Sequence, residues 1–185
     1  MSDTAEPIEP DYDPQTLHEV YADTAAVQQR ISELRSRVPT APDVTAELLA
    51  RGDLVDLLRG TGELDDTLTQ AQQAADRAEI AGTAAQQHLA RLRLAQTHSR
   101  RGDFAQSNPL FTELTNSATQ FGTVIEGYTA QAAGVNDYDQ ALYAEAHELF
   151  AHALQIRERY ELPDEQIAAS RQAVAAAAQQ LRNAE

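Results

Sequence analysis

Two histidines in the stretch HELFAH, His147 and His152, are the residues of this chain that most invite metal chemistry. A zinc-protease helix needs its histidines at i and i+4, on one face. At i+5 the two side chains point about 140° apart on a helix of 3.6 residues per turn. They are therefore not read as ligands. None of the five histidines has a Glu three residues before it, which removes the helix-bundle di-iron pattern. His98 falls at a packing position and reads as a core or groove histidine. Asp65 and Asp66 are adjacent carboxylates, but they sit where a helix begins, and acids there complement the positive end of the helix dipole. The chain has no cysteine, so thiolate metal sites, disulfides and a Cys nucleophile are excluded. All 14 basic residues are arginine, which excludes a Schiff-base or phosphate-loop lysine. No G-x-S-x-G or Gly-rich dinucleotide fingerprint occurs. The expectation is a chain that is not an enzyme and carries no cofactor and no metal. A metal-dependent enzyme is the minor alternative.

The tripeptide Arg-Gly-Asp occurs twice, at Arg51-Gly52-Asp53 and Arg101-Gly102-Asp103. It could be an adhesion motif or punctuation between helices. Glycines at 62, 82, 102 and 122 recur at a spacing of 20, which favours punctuation. Gly82 leads into Thr83-x-x-Gln86, Gly102 into Asp103-x-x-Gln106 and Gly122 into Thr123-x-x-Glu126. Each is a helix stop, where glycine tolerates the left-handed conformation, followed by a capping-box start. Arg100 and Arg101 then lie in a last turn, where cations are favoured. Arg51-Gly52-Asp53 is less regular and is read as a kink or break in an early helix.

Apolar residues between the glycines keep helical spacing. Leu64, Leu68, Ala71, Ala75 and Ala78 form one stripe, and Leu89, Leu92, Leu94 and Ala95 another. Helices of about 18 residues span roughly 27 Å and, with short turns, fold back as antiparallel pairs. Two units of 20 make a repeat of about 40 residues, within the range of helical solenoids.

The stretch RLRLAQTHSRRGDFAQSNPLFTEL resembles the tetratricopeptide repeat (TPR) family. Leu94 and Ala95 match the large-small pair of its first helix, Gly102-Asp103-Phe104 its turn, and Ser107, Phe111 and Leu114 its second helix. An earlier copy runs through Leu54, Val55, Leu58, Gly62, Leu64, Thr67, Ala71 and Ala74; a later one through Ala133, Gly134, Tyr143, Ala146, Phe150 and Ala153. Their offsets of 40 and 39 exceed the family's usual repeat, and Ser107 and Thr67 stand where it usually has Ala. Pro109 predicts either a kink or a fresh start with Asn108 as cap. The third turn is placed near Asp139–Ala141, because a turn at Asn136–Asp137 would bury Glu145 and Glu148.

The expected fold is thus all-α: antiparallel helix-pair repeats forming a TPR-like α-α superhelix, about three repeats with terminal capping helices. A compact bundle of the same helices is the alternative. Residues 1–13 are expected to be a disordered acidic tail. Residues 14–38 form an N-terminal helix with Leu17, Val20, Thr24, Val27, Ile31, Leu34 and Val38 as its seam. That seam packs within the chain or pairs two chains in a homodimer. Residues 43–160 hold the three helix pairs, and 163–184 a capping helix with Ile167, Val174, Ala178 and Leu181 inward.

The resemblance implies a groove that binds an extended peptide or a partner helix. Carried over position by position, the groove residues are Leu49, Asp56 and Arg59 from the first repeat, and Leu89, Leu92, Arg93, Gln96 and Arg100 from the second. Tyr128, Gln131 and Tyr138 come from the third. Without lysine the carboxylate clamp of the chaperone-binding subclass is missing. The function expected is a non-catalytic protein- or peptide-binding adaptor; a peptide- or metabolite-sensing regulatory domain acting through a partner is the alternative. A net charge of −15 repels nucleic acid and anionic membranes and points to a basic partner. No segment spans a bilayer and no secretory signal opens the chain, so a cytoplasmic location is expected.

Overall fold

The computed structural model describes residues 8 and 10–184. Among them are eight α-helices and one small hairpin. The helices are α1 (Thr24–Arg37), α2 (Val44–Thr61), α3 (Leu64–Ala81), α4 (Ala84–Arg100), α5 (Phe104–Ser117), α6 (Thr123–Asp139), α7 (Tyr143–Arg159) and α8 (Asp164–Ala184). Each packs on the next in antiparallel fashion, and α2, α4 and α6 also touch in sequence, forming an inner row. The fold is all-α, apart from strands β1 (Asp11–Tyr12) and β2 (Glu19–Val20).

The glycine spacing marks the turns, by more than one mechanism. Gly62 and Gly102 adopt φ of 81° and 75°, the left-handed turn expected of them. Gly82 instead is extended at φ −86°. Glycine is needed there because a Cβ would lie 2.8 Å from the Ala78 carbonyl oxygen. Thr83 and Gln86 form the full capping box at the start of α4. Asp103 occupies the N-cap of α5 but its side chain caps nothing; a carboxylate oxygen lies 3.2 Å from His98 Nδ1. At α6 the cap is Gly122 itself, and Thr123 is already inside the helix. The third turn falls at Gln140–Leu142, with Ala141 at φ 60°, and leaves Glu145 and Glu148 exposed.

Arg101-Gly102-Asp103 is the α4–α5 turn. Arg51-Gly52-Asp53, by contrast, lies inside an unbroken α2. Arg51 donates to Glu47 and to the amide oxygens of Gln70 and Gln73, and Gly52 makes room for the Arg93 guanidinium. Pro109 neither breaks nor restarts α5, which runs on from Phe104.

The core is a row of small clusters. Leu92, Ala95, Phe111 and Leu114 meet Ala132 and Ala133. Phe150 and Ala146 meet Ala173 and Ala177 of α8. The inward stripe of α8 is therefore Ser170, Ala173 and Ala177. Ile167, Val174, Ala178 and Leu181, expected inward, are only half-buried flanks. The small residues let α8 lie close to α7.

The N-terminal expectation needs the largest correction. The helix begins at Thr24, not at 14, with the Asp23 carboxylate accepting from the Ala26 amide. Val27, Ile31, Leu34 and Val38 are buried against Ala50, Leu54, Leu57 and Leu58 of α2, so that part of the seam is consumed within the chain. Leu17 and Val20 are not on it. The Asp13 carboxylate accepts from the amides of Gln15 and Thr16 and starts a turn, after which β2 pairs antiparallel with β1. Of the tail expected at 1–13, residues 1–7 and 9 lie outside the described residues. Asp11 and Tyr12 are strand.

Candidate functional site

The hairpin is anchored across the inner row of helices, and its anchors are specific. Arg59 on α2 donates from Nε to one Glu19 carboxylate oxygen at 3.0 Å and from Nη2 to the other at 2.8 Å. This fork-on-fork geometry is the strongest form of a charge-assisted pair. His18 Nε2 lies 3.0 Å from the carboxylate oxygens of Asp139 on α6. Leu17 is 4% exposed and sits among Tyr138, Ala146, Phe150 and the α8 alanines. It reaches there with φ 61°, a left-handed backbone that costs a non-glycine residue roughly 1–2 kcal/mol. Gln172 on α8 donates to the Tyr12 carbonyl at 3.2 Å. Tyr21 packs beside Gly60, where a Cβ would meet its ring at 2.3 Å.

Beneath the hairpin lies a network of charge. The Arg59 guanidinium is 3% exposed, and its Nη1 is 3.1 Å from Asp56. Asp56 also accepts from Nε of Arg93 at 3.0 Å. Burial alone would lower the pKa of both arginines. The carboxylates outweigh it: Glu19 and Asp56 hold Arg59 well above the usual value, and Asp56 raises Arg93. Burial raises the Tyr128 phenol, with Asp56 adding to it, and pushes Tyr12 up to about 12, with Glu19 adding to it.

Arg59, Gln96, Arg100, Tyr128 and Gln131, all expected on the groove, line one pocket between the inner helices and the hairpin. Asp56 and Arg93 lie in the network beside it. Leu92 and Tyr138 do not belong to it. Leu92 is fully buried between α4, α5 and α6, and Tyr138 points toward α7 and α8, with Gln180 3.5 Å from its hydroxyl. Both are core residues, on the buried side of their helices, while Gln96 and Gln131 of the same two helices line the pocket. Leu49 and Leu89 line a separate depression between α2 and α4.

The pocket also holds residues not expected on the groove: Tyr12, Leu17, His18 and Glu19 from the hairpin, Ser99 from α4, Asp139 from α6, and Arg157 from α7. Arg157 had a signal. It continues the buried stripe Ala146, Phe150, Ala153 at helical spacing, so a cation stands at a core register. Its Nη1 donates to the Gln166 carbonyl at 2.7 Å and to Ser170 Oγ at 2.8 Å, and Ser170 in turn donates to Gln131 at 2.7 Å.

His147 and His152 do not converge; His152 Nε2 lies 2.9 Å from Glu126. Among the described residues, no group of three or more His, Asp or Glu could hold a metal ion, and no helix is long and apolar enough to cross a membrane. No protein-family model, curated protein or solved structure matches this chain.

Proposed function

We propose that this chain is a TPR-like helical-repeat module that binds an extended peptide segment on the face formed by α2, α4 and α6, and that residues 11–20 occupy this face as an intramolecular stand-in. One observation carries the reading: a hairpin of the chain already lies there, held by an acid fork on Arg59 and an apolar anchor at Leu17. β-Hairpins this short do not fold alone, so its order is conferred by the face it lies on. The same contacts define what a partner would present. It needs a carboxylate for Arg59 and, at a distance set by the hairpin, an aliphatic side chain for the α6–α8 site. The chain's overall acidity favours a basic partner, but at contact distance the local arginines govern, and they favour an acidic segment. The module acts by binding and not by catalysis, in the cytoplasm, without a cofactor.

The test opens the face without removing it. A full-length chain carrying Leu17→Ala and Glu19→Gln is titrated with a labelled synthetic peptide of residues 10–22. Saturable binding that weakens on further substitution of Arg59→Gln is the expected result. An opened chain that retains its fold and binds no peptide overturns the proposal.

A further inference from the structure

The hairpin does not fill the space it covers. Between it and the helices is a cavity of about 70 Å³, open to solvent at its mouth. One water needs about 10–15 Å³ of such space, so the cavity has room for several waters. Two polar groups of its wall are left incompletely partnered by the fold. Arg157 is 5% exposed, yet no carboxylate lies within ion-pair reach of it among the described residues; its partners are a carbonyl and a hydroxyl. Burial accordingly lowers its pKa. A buried cation without a counter-charge is costly, and buried charges are as a rule paired. Ser99 is 6% exposed, and its hydroxyl has no hydrogen-bond partner although it too lines the pocket. Arg100, next in sequence, forms no ion pair among the described residues. Leu17, Ala132, Val135 and the rings of Tyr12 and Tyr128 give the wall an apolar and aromatic part, beside the polar side chains of His18, Glu19, Arg59, Gln96, Gln131 and Asp139.

We infer that this pocket is a binding site for a small carboxylate with a short apolar body. The carboxylate supplies the missing counter-charge to Arg157 and Arg100 and an acceptor for Ser99; the body lies on the aliphatic and aromatic wall. Three arginines face two carboxylates around the pocket, an excess that a monoanion neutralises better than a dianionic phosphate. Because Leu17, His18 and Glu19 form one wall, the ligand binds the form with the hairpin docked and holds it closed. By linkage it opposes any peptide that must displace the hairpin. That consequence rests on the peptide-binding reading; the binding itself does not.

The test uses the full-length chain with phenylacetate and hexanoate as probes, read by isothermal titration and thermal denaturation. Sodium chloride at equal ionic strength, 2-phenylethanol and inorganic phosphate are the controls. Both carboxylates, or one of them, should bind saturably and raise Tm above the chloride control, while the alcohol does not. Arg100 is partly exposed, so Arg100→Gln keeps the fold and should weaken binding about tenfold or more, as loss of a charge-assisted bond implies. Ser99→Ala should weaken it less. The proposal is overturned if neither carboxylate exceeds chloride, if 2-phenylethanol binds as well, if phosphate binds and the carboxylates do not, or if Arg100→Gln binds like the native chain.

Discussion

Glu19→Gln should release the hairpin while leaving the helical array standing. The carboxylate receives two bonds from a guanidinium that is only 3% exposed. A neutral amide offers one acceptor and turns a donor toward the other guanidinium nitrogen. Were the hairpin unable to move, stranding Arg59 would cost about 3–5 kcal/mol. It can move, and opening hydrates Arg59 while Asp56 remains beside it. The cost therefore falls on docking, at about 2 kcal/mol for a lost charge-assisted bond. That corresponds to roughly a 30-fold rise in the open population. Leu17, the His18–Asp139 pair and the Gln172 bond still favour closure, so the closed form persists as a weaker state. Native-state hydrogen exchange by mass spectrometry, resolved over residues 10–22 and over α2, reads this directly. Exchange in 10–22 should accelerate by about that factor, and α2 should change little. A fall in global stability of the full 3–5 kcal/mol with no selective acceleration would refute the reasoning, since the hairpin would then be part of the cooperative fold. No change at all would show that the pair contributes nothing to docking.

Gly134→Ala places a Cβ 2.5 Å from the fully buried Phe150 ring and should cost about 1–3 kcal/mol in urea denaturation. Gly52→Ala meets only the end of the Arg93 side chain, at 2.8 Å, and the gain of up to about 1 kcal/mol in helix propensity should leave it near neutral by the same measurement. Burial holds the Asp137 carboxyl above its ordinary value of 3.8, against the pull of the Asn136 amide. A raised acid favours the fold below 3.8 and loses that contribution as pH rises through the folded value, so Asp137→Asn should be more stable than the native chain at neutral pH, with the advantage vanishing in acid. Glu47 is the opposite case. Its bond from Arg77 is the largest cause holding it below 4.5, with Arg51 adding to it, so its contribution is present above 4.5 and lost as pH falls through the folded value. Glu47→Gln should destabilise at neutral pH, and thermal melts across pH should show the two proteins converge below 4.5.

The parts of this molecule legible in its sequence are those set by neighbours within a turn or two. The Thr83–Gln86 capping box needs four residues, and the left-handed turns at Gly62 and Gly102 need one each. Ala71 could be assigned to the core from spacing, because a helix with one apolar stripe has one way to bury it, and Phe111 and Phe150 from the repeat resemblance. Face assignments were less secure. Adjacent helical positions point about 100° apart, so an error of one position moves a groove residue into the core. Leu92 and Tyr138 were misplaced in this way, while Gln96 and Gln131 on the same two helices were not.

The hairpin was illegible for a different reason. Leu17, Val20, Thr24, Val27 and Ile31 do have helical spacing, and Pro14 is tolerated in a first turn, so local rules permit a helix from 14. What overrules them is distant: Glu19 pairs with a residue 40 positions on, and His18 with one 121 positions on. Asp13 gives no local cue against a helix from 14, because its bonds from the Gln15 and Thr16 amides are also those of an N-cap on such a helix. Once those distant contacts form, the left-handed backbone of Leu17 is offset by burial of its side chain, worth about 1.5–3 kcal/mol. The narrow difference between those two terms has a consequence. A segment whose best local structure competes with its docked one, and whose docking depends on a few separable anchors, is suited to being displaced. The helices beneath, each with a buried stripe packed on its neighbours, are not.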